Sequence, residues 1–325
     1  MIEILSNGAL NLIQDAGRHG HLRLGVSRSG AMDALALAVG NALTGNHALA
    51  AAIEISLFPF RVRFHRDMSF AVTGADCVVR LDDKVLPPWW GCTARAGQTL
   101  VVEHPKRGCR AYLSLAGGVD VALVMGSRST DLKGAFGGFE GRGLRRGDTV
   151  AVHETANRPI HRTGLGAVPR ALPSLWQSLS EGVVTVRVLP AAEYRHFTEA
   201  ARQAFVEQAY EITPDANRVG YRLRGPELAL SAPLELLSHG IVPGTVQVPP
   251  SGQPIVQLAE ANTCGGYPKI ATVIETDLWK LAQAPVGCRV RFALVDVSEA
   301  LEQLSERTRE IEKFQQTLAL MSSRG

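Results

Sequence analysis

The sequence predicts a mainly β protein with a few helices, and three observations carry that prediction. Short apolar runs such as Phe60–Phe64, Phe70–Val72, Val78–Leu81, Thr99–Val102 and Arg110–Leu115 recur about every ten residues. Glycine and aspartate turns separate them, as in Thr73-Gly74-Ala75-Asp76, Asp82-Asp83 and Arg95-Ala96-Gly97. Segments with a helical period are few, and none alternates regularly with strands, which argues for a barrel or sandwich rather than βαβ units.

Taken in order, Ile2–Leu5 and Leu10–Ile13 read as two short strands with a turn at Gly8. Gln14–Asp33 is an aperiodic loop rich in glycine and arginine. Met32–Leu43 places Leu35, Val39 and Leu43 on one helical face, with Asp33 near its start as a cap and Gly45-Asn46 at its end. β runs fill Ala51–Val152, broken by a second glycine-rich region from Gly117 to Asp148. Residues 154–182, with Pro159, Pro169 and Pro173, read as a connection between lobes. After the strand Val183–Leu189, the positions Tyr194, Phe197, Ala201, Phe205 and Gln208 predict an amphipathic helix over Glu193–Tyr210. Further strands run to Phe292, with a short helix from Thr276 or Asp277 to Leu281 stopped by Pro285. Ser298–Met321 is a terminal helix lying on its own domain. The domains expected are therefore 1–160, an N-terminal β-rich lobe; 161–300, a C-terminal β lobe; and 301–325, a C-terminal helix.

Composition narrows the function classes. The 325 residues are 46% hydrophobic and 20% charged, as in a globular protein of about two domains. A net charge of +3 with no basic stripe argues against an extended nucleic-acid footprint. The longest apolar runs are too short to span a bilayer, and Met1–Ile4 reads as a strand rather than a signal peptide. Five cysteines without a CxxC pair fit reduced thiols in the cytoplasm. His19 and His21 flank Gly20 with no third ligand of the usual kind nearby, so no metal is assigned.

The densest cluster of special residues is Thr245–Ala271, TVQVPPSGQPIVQLAEANTCGGYPKIA. Pro249-Pro250 gives no N–H groups to a ladder, Ser251-Gly252 is a turn pair, and Ile255–Leu258 alternates as a strand with one wet face would. Two readings stand side by side. One is a hairpin with an ornate loop. The other is a rigid loop presenting Gln247, Gln253, Thr263, Tyr267 and Lys269, with the backbone of Gly265 and Gly266, to a small polar ligand. Gly126–Asp131 gathers backbone N–H groups, hydroxyls and the Arg128 guanidinium, either as an anion nest through Ser127 and Arg128 or as a structural turn. Asp15, Arg18, Arg28 and Asp33 are expected to pair among themselves. Arg218 and Arg222 share a face if extended, with Tyr221 between them, and could clamp an anion. Cys264 lies in the central loop without a catalytic Cys/His signature, although His239 could reach it. No GxxxxGK[ST] motif occurs, so any nucleotide is held another way.

The motifs QDAGRHG with GVSRSGAMD, GSRSTDLKGAFGGFEGR, NRVGYRL and the Thr245–Ala271 stretch together resemble the allophanate hydrolase subunit 2, or biotin-dependent carboxyltransferase-like, family. Its members include the C subunit of bacterial ATP-dependent 5-oxoprolinase, a Kip-type antagonist and part of urea carboxylase. The resemblance covers about Ile4 to Phe292 and implies cyclophilin-like β-barrel lobes. It implies one partner of the subunit 1/B type (Kip inhibitor-like) and one A-type partner, with a homo-oligomer left open. It implies ATP used by the complex and no cofactor in this chain. One departure stands out: where the family pattern has aspartate and then Gln-Thr-Thr before Gly-Gly-Tyr-Pro-Lys, this chain has Glu260, Asn262, Thr263 and Cys264. Three functions follow from the resemblance. The first is a component, inactive alone, of a lactam-opening complex that converts pyroglutamate to glutamate, with Lys269, Tyr267 and Glu260 as catalytic candidates. The second is carboxyl transfer, for which the chain lacks an Ala-Met-Lys-Met biotin site. The third is a regulator that binds a kinase-inhibitor homologue.

Overall fold

The computed structural model describes residues 1–155 and 164–323. The chain forms two compact units. The first comprises Met1–Arg18, Ser29–Leu172 and the chain from Thr308; the second comprises His19–Arg28 and Pro173–Arg307.

The first unit holds two six-stranded sheets. One runs Thr149–Val150, Ile2–Ile4, Phe60–Phe64, Thr99–Pro105, Cys77–Leu81, Lys84–Leu86. The other runs Leu165–Gly166, Trp90–Ala94, Met68–Gly74, Ala111–Leu115, Ala52–Ile55, Leu12–Gln14. In Phe60–Phe64 of the first sheet the phenylalanines and Val62 are buried while Arg61 and Arg63 face out, whereas Ala52–Ile55, Met68–Gly74 and Ala111–Leu115 of the second are buried at every residue. Both sheets feed one core of Ile2, Ile4, Val62, Phe64, Phe70, Leu100, Leu113 and Val150. Helix α1 (Ala34–Leu43) packs on the second sheet. Asp33 caps it, its carboxylate accepting the Ala36 N–H at 2.8 Å. Gly40 is required by a close approach, since a Cβ there would stand 2.6 Å from Ser114 Oγ.

The second unit is built on a closed seven-stranded barrel in the order Val183–Pro190, Lys269–Val273, Thr245–Gln247, Ile255–Gln257, Gly220–Arg224, Ala209–Ile212, Arg289–Leu294. The last strand returns to the first by a parallel pairing, Val183↔Arg289 to Val188↔Leu294, which removes the exposed edges an open sheet would leave.

Several sequence expectations need correction. Glu193–Tyr210 is not one helix. A single 3-10 turn, Tyr194–His196, is followed by Thr198, whose hydroxyl accepts from Ala201 N and starts α3 (Glu199–Glu207). Ala209–Ile212 is already a barrel strand. The apolar stripe runs unbroken across this cap because Phe205 stacks on Phe292, ring centroids 4.4 Å apart, while Tyr210 is buried from the strand. The expected connection 154–182 lies partly outside the described residues. Its described part contains the strand Leu165–Gly166, paired with Trp90 and Gly91 of the first unit, and helix α2 (Leu172–Glu181). Pro173 marks that helix's first turn rather than a loop, where a missing N–H costs nothing. Residues 164–172 therefore group with the first unit, not with the barrel. Helix α4 is Leu278–Gln283, preceded by a 3-10 turn Glu275–Asp277, and α5 is Val297–Ser323.

Candidate functional site

The barrel strands place the residues of the Thr245–Ala271 stretch against one another. Thr245–Gln247 pairs with both Ile255–Gln257 and Lys269–Val273. A bulge between Val246 and Gln247 sets Gln247 opposite Lys269. Across the loop, His239–Gly240 pairs with Cys264–Gly265, His239 opposite Gly265.

Lys269 is the centre. Its ammonium lies 2.9 Å from Glu193 Oε2, and its backbone N–H donates to the same oxygen at 3.1 Å. Only 13% of the Lys269 side chain and 12% of Glu193 are exposed. The third partner is His239 Nε2, in hydrogen-bond contact with Lys269 Nζ. His239 Nδ1 meets the Leu237 carbonyl at 2.8 Å. A carbonyl only accepts, so Nδ1 carries the ring proton and Nε2 presents its lone pair to the ammonium. Burial pushes the Glu193 carboxyl up, but the hydrogen bonds and charge of Lys269 outweigh it and hold it below the ordinary value. An ammonium has three N–H donors; Glu193 and His239 take two and leave one for a ligand.

Beside this triad lies a pair of buried amides. Gln257 Nε2 donates to Gln247 Oε1 at 3.0 Å. A Cβ on Gly265 would sit 2.5 Å from Gln247 Nε2, so only glycine leaves room for that amide. Lys269, Gln247 and Gly265 are thus brought together. His239, Glu193 and Gln257 join them from positions that sequence reasoning did not assign.

The other candidates sit differently. Gln253 is not turned toward a ligand: its amide accepts from Gly225 N–H at 2.8 Å and donates to Gly225 C=O at 3.1 Å, clipping the hairpin to the end of the neighbouring strand Gly220–Arg224. Glu260 does not stand open as an acid or base. It is buried, and Arg218 Nε donates to its Oε1 at 2.6 Å. That pairing also dissolves the arginine clamp, because Arg218 is buried on Glu260 while Arg222 is exposed on the barrel exterior. Tyr221, between them, is buried. Thr263 gives its carbonyl to Ile241 N–H, Gly266 lies near the Leu236 carbonyl, and Tyr267 is exposed on the same loop. Cys264, opposite Gly240, is exposed.

In the first unit, the Gly126–Asp131 turn is a nest already filled by the protein's own carboxylate. Ser127 Oγ donates to Asp15 Oδ1 at 2.6 Å, Ser129 Oγ donates to the same oxygen at 2.5 Å, and the Arg128 N–H donates to Oδ2 at 2.6 Å. The Arg128 guanidinium turns to the Val121 carbonyl. The hydroxyl and N–H donors that Ser127, Ser129 and Arg128 give to Asp15 are therefore spent on structure. Of the loop charges, Asp33 caps α1, Arg18 donates to the Val124 and Ser129 carbonyls and lies in the field of Asp131 and Asp15, and Arg28 faces Glu275. An open cleft of about 450 Å³ near this turn is lined by Val121, Phe136 and Phe139 and carries one charged side chain, Glu140. Among the described residues no group of three His, Cys, Asp or Glu side chains could hold a metal ion, and no helix is long and apolar enough to cross a membrane.

Comparison with known proteins agrees with this architecture. The family model described as "Carboxyltransferase domain, subdomain A and B" matches residues 24–294. The 5-oxoprolinase C subunit of Escherichia coli (strain K12) is 42% identical over 97% of this chain and 97% of its own length. The Haemophilus influenzae protein of the same name is 42% identical over 92% of this chain and 93% of its own. The crystal structure of the K. lactis urea amidolyase superposes with a TM-score of 0.86 at 27% identity, covering 96% of this chain but 20% of that far longer one. The chain belongs to the carboxyltransferase domain, subdomain A and B, family.

Proposed function

We propose that the chain is the C subunit of an ATP-dependent 5-oxoprolinase, which opens the lactam of pyroglutamate to glutamate with A-type and B-type partners in the cytoplasm. The observation that carries this reading is the 42% identity to two bacterial proteins of that name along almost the whole of each chain.

The geometry supports it chemically. An unactivated lactam is opened once its carbonyl carbon is made electrophilic, here by transfer of a phosphoryl group from ATP to the lactam oxygen; water then completes the hydrolysis, giving glutamate, ADP and phosphate. Such a step needs fixed donors where negative charge develops. Lys269 is a fixed donor of that kind, with its position set by Glu193 and His239 and one N–H left over. Tyr267 and the backbone of Gly265 and Gly266 border it. Glu260 and Arg218 enter this reading as a supporting ion pair and not as acid, base or clamp.

The second reading, carboxyl transfer, is favoured by the family description and by the likeness to urea amidolyase. In it the same ammonium meets a carboxylate, and a separate biotin-carrying protein supplies the carboxyl group.

Purified chain is mixed with A-type and B-type partners, singly and together, and glutamate and ADP are measured with 5-oxoproline as substrate. Both products form only in the complete set. Turnover by the lone chain, or none by the complete set beside carboxylation of an amide when a biotin carboxylase is supplied, refutes the reading.

A further inference from the structure

The two amides beside Lys269 carry more hydrogen-bonding groups than the protein satisfies. Gln247 and Gln257 are buried, at 4% and 6% exposure. One bond links them, Gln257 Nε2 to Gln247 Oε1. Among the described residues Gln247 Nε2 and Gln257 Oε1 then have no partner. Exchanging both amides end for end preserves the balance, because the link reverses and the atoms left over are again one donor and one acceptor. Buried polar groups are nearly always paired, and each one left unpaired costs about 1–3 kcal/mol. Leucines would fill the same strand positions without that cost. Gln247 sits against Gly265 and opposite Lys269, so its unpaired amide nitrogen lies beside the loop that presents the ammonium.

One donor and one acceptor from adjacent amides match a ligand edge bearing a carbonyl oxygen and an N–H side by side. A secondary amide in an open chain is trans and points these groups to opposite sides. A small-ring lactam is forced cis and presents both on one edge. We infer that Gln247 and Gln257 form the recognition element for the cis-amide edge of a small lactam, Gln247 meeting the carbonyl oxygen and Gln257 the ring N–H. Lys269 then approaches the same carbonyl region from the opposite strand with its remaining N–H. The choice of a lactam rests on the 5-oxoprolinase reading, while the pair of unmatched groups stands independently of it.

The test uses the full-length chain, alone and with its A-type and B-type partners, with 2-pyrrolidinone as the minimal lactam. γ-Butyrolactone, whose ring oxygen replaces the N–H, and urea serve as comparison ligands. Binding is followed by calorimetry and by the side-chain amide NMR signals of the two glutamines. The lactam moves both signals. The lactone binds at least about tenfold more weakly, because a site built to accept a hydrogen bond rejects the analogue that lacks the donor. Gln257→Leu removes the preference for lactam over lactone, and Gln247→Leu weakens both ligands alike, while thermal melting shows folded protein. Equal binding of lactam and lactone, binding of urea without the lactam, unmoved amide signals, or occupation by water only with no lactam bound would each overturn the inference. A complex that binds the lactam through these residues yet does not turn over 5-oxoproline refutes the 5-oxoprolinase reading and leaves the amide site standing. An active complex whose lactam preference survives Gln257→Leu does the reverse.

Discussion

Lys269→Ala separates a catalytic lysine from a structural one, and its cost can be worked from the geometry. The substitution removes the partner 2.9 Å from Glu193 Oε2 and leaves a carboxylate that is 12% exposed without its ammonium. Breaking a fully buried pair costs roughly 3–5 kcal/mol, and a surface pair roughly 0–1 kcal/mol. A pair this sheltered but still wetted falls between, at about 2 kcal/mol, which lowers the melting temperature by several degrees for a protein of this size. The rate effect is of another order: losing one preorganised donor at a developing oxyanion costs about 10²–10³ in kcat. Glu193→Gln provides the comparison, since it loses the ion pair and a similar share of stability but keeps the ammonium. Lys269→Arg restores charge but rescues kcat poorly, because a planar fork does not fit the place of a compact ammonium between Glu193 and His239. Initial rates of the reconstituted complex are read beside melting curves of each variant. If Lys269→Ala and Glu193→Gln lose stability and rate in parallel, the lysine is a structural tie and the reasoning fails.

The remaining predictions concern the neighbours of that site and the acid stability of the barrel. Arg218→Ala strands the buried Glu260 carboxylate and costs about 3–5 kcal/mol in urea unfolding, whereas Arg222→Ala stays within about 0.5 kcal/mol. Gly265→Ala puts a methyl 2.5 Å from Gln247 Nε2, so it raises KM for 5-oxoproline in the complex while the barrel stays folded. Asp277 and Glu193 both have carboxyl groups below their ordinary values: burial pushes each up, but Arg187 with Lys280, and Lys269, push them further down. Their folded-state values lie under the unfolded ones of about 3.9 and 4.3, so the stabilisation is fully present above that range and is lost as pH falls through the folded values. Asp277→Asn and Glu193→Gln therefore flatten the acid limb of a stability-against-pH curve, and an unchanged limb refutes the assignment.

The barrel is legible in the sequence because its strands alternate: Arg289–Leu294 buries Val290 and Phe292 and exposes Arg289 and Arg291, the pattern its residues show. Helix α1 is legible for the same local reason, an apolar stripe behind an aspartate cap. What local pattern misses is long-range. Ile255–Gln257 reads as a strand with Gln257 on a wet face, but closure of the barrel buries Gln257 and leaves Ile255 partly exposed. No local pattern distinguishes those outcomes. His239 and Glu193 reach Lys269 from 30 and 76 residues away in sequence, so their role depends on register. One signal for Glu193 is present, a lone carboxylate just beyond a strand in a short Pro-Ala-Ala turn. The apolar stripe hides it inside an expected helix that Thr198 in fact begins five residues later. Arg218, Ser127 and Arg128 carry the right chemistry for an anion site, and Glu260 that for an acid or base. Residue type alone misassigns them, because it does not reveal that Arg218 and Glu260 face each other, or that Asp15 already fills the nest.

The most direct measurement is a crystal structure of the complete complex with 5-oxoproline bound. The lactam oxygen is expected within hydrogen-bond distance of Lys269 Nζ, its ring edge on Gln247 and Gln257, and the Asp15-filled turn at Ser127 and Arg128 unchanged. A lactam bound away from Lys269, or at the Ser127–Arg128 turn with Asp15 displaced, contradicts the assignment of Lys269 as the reacting centre.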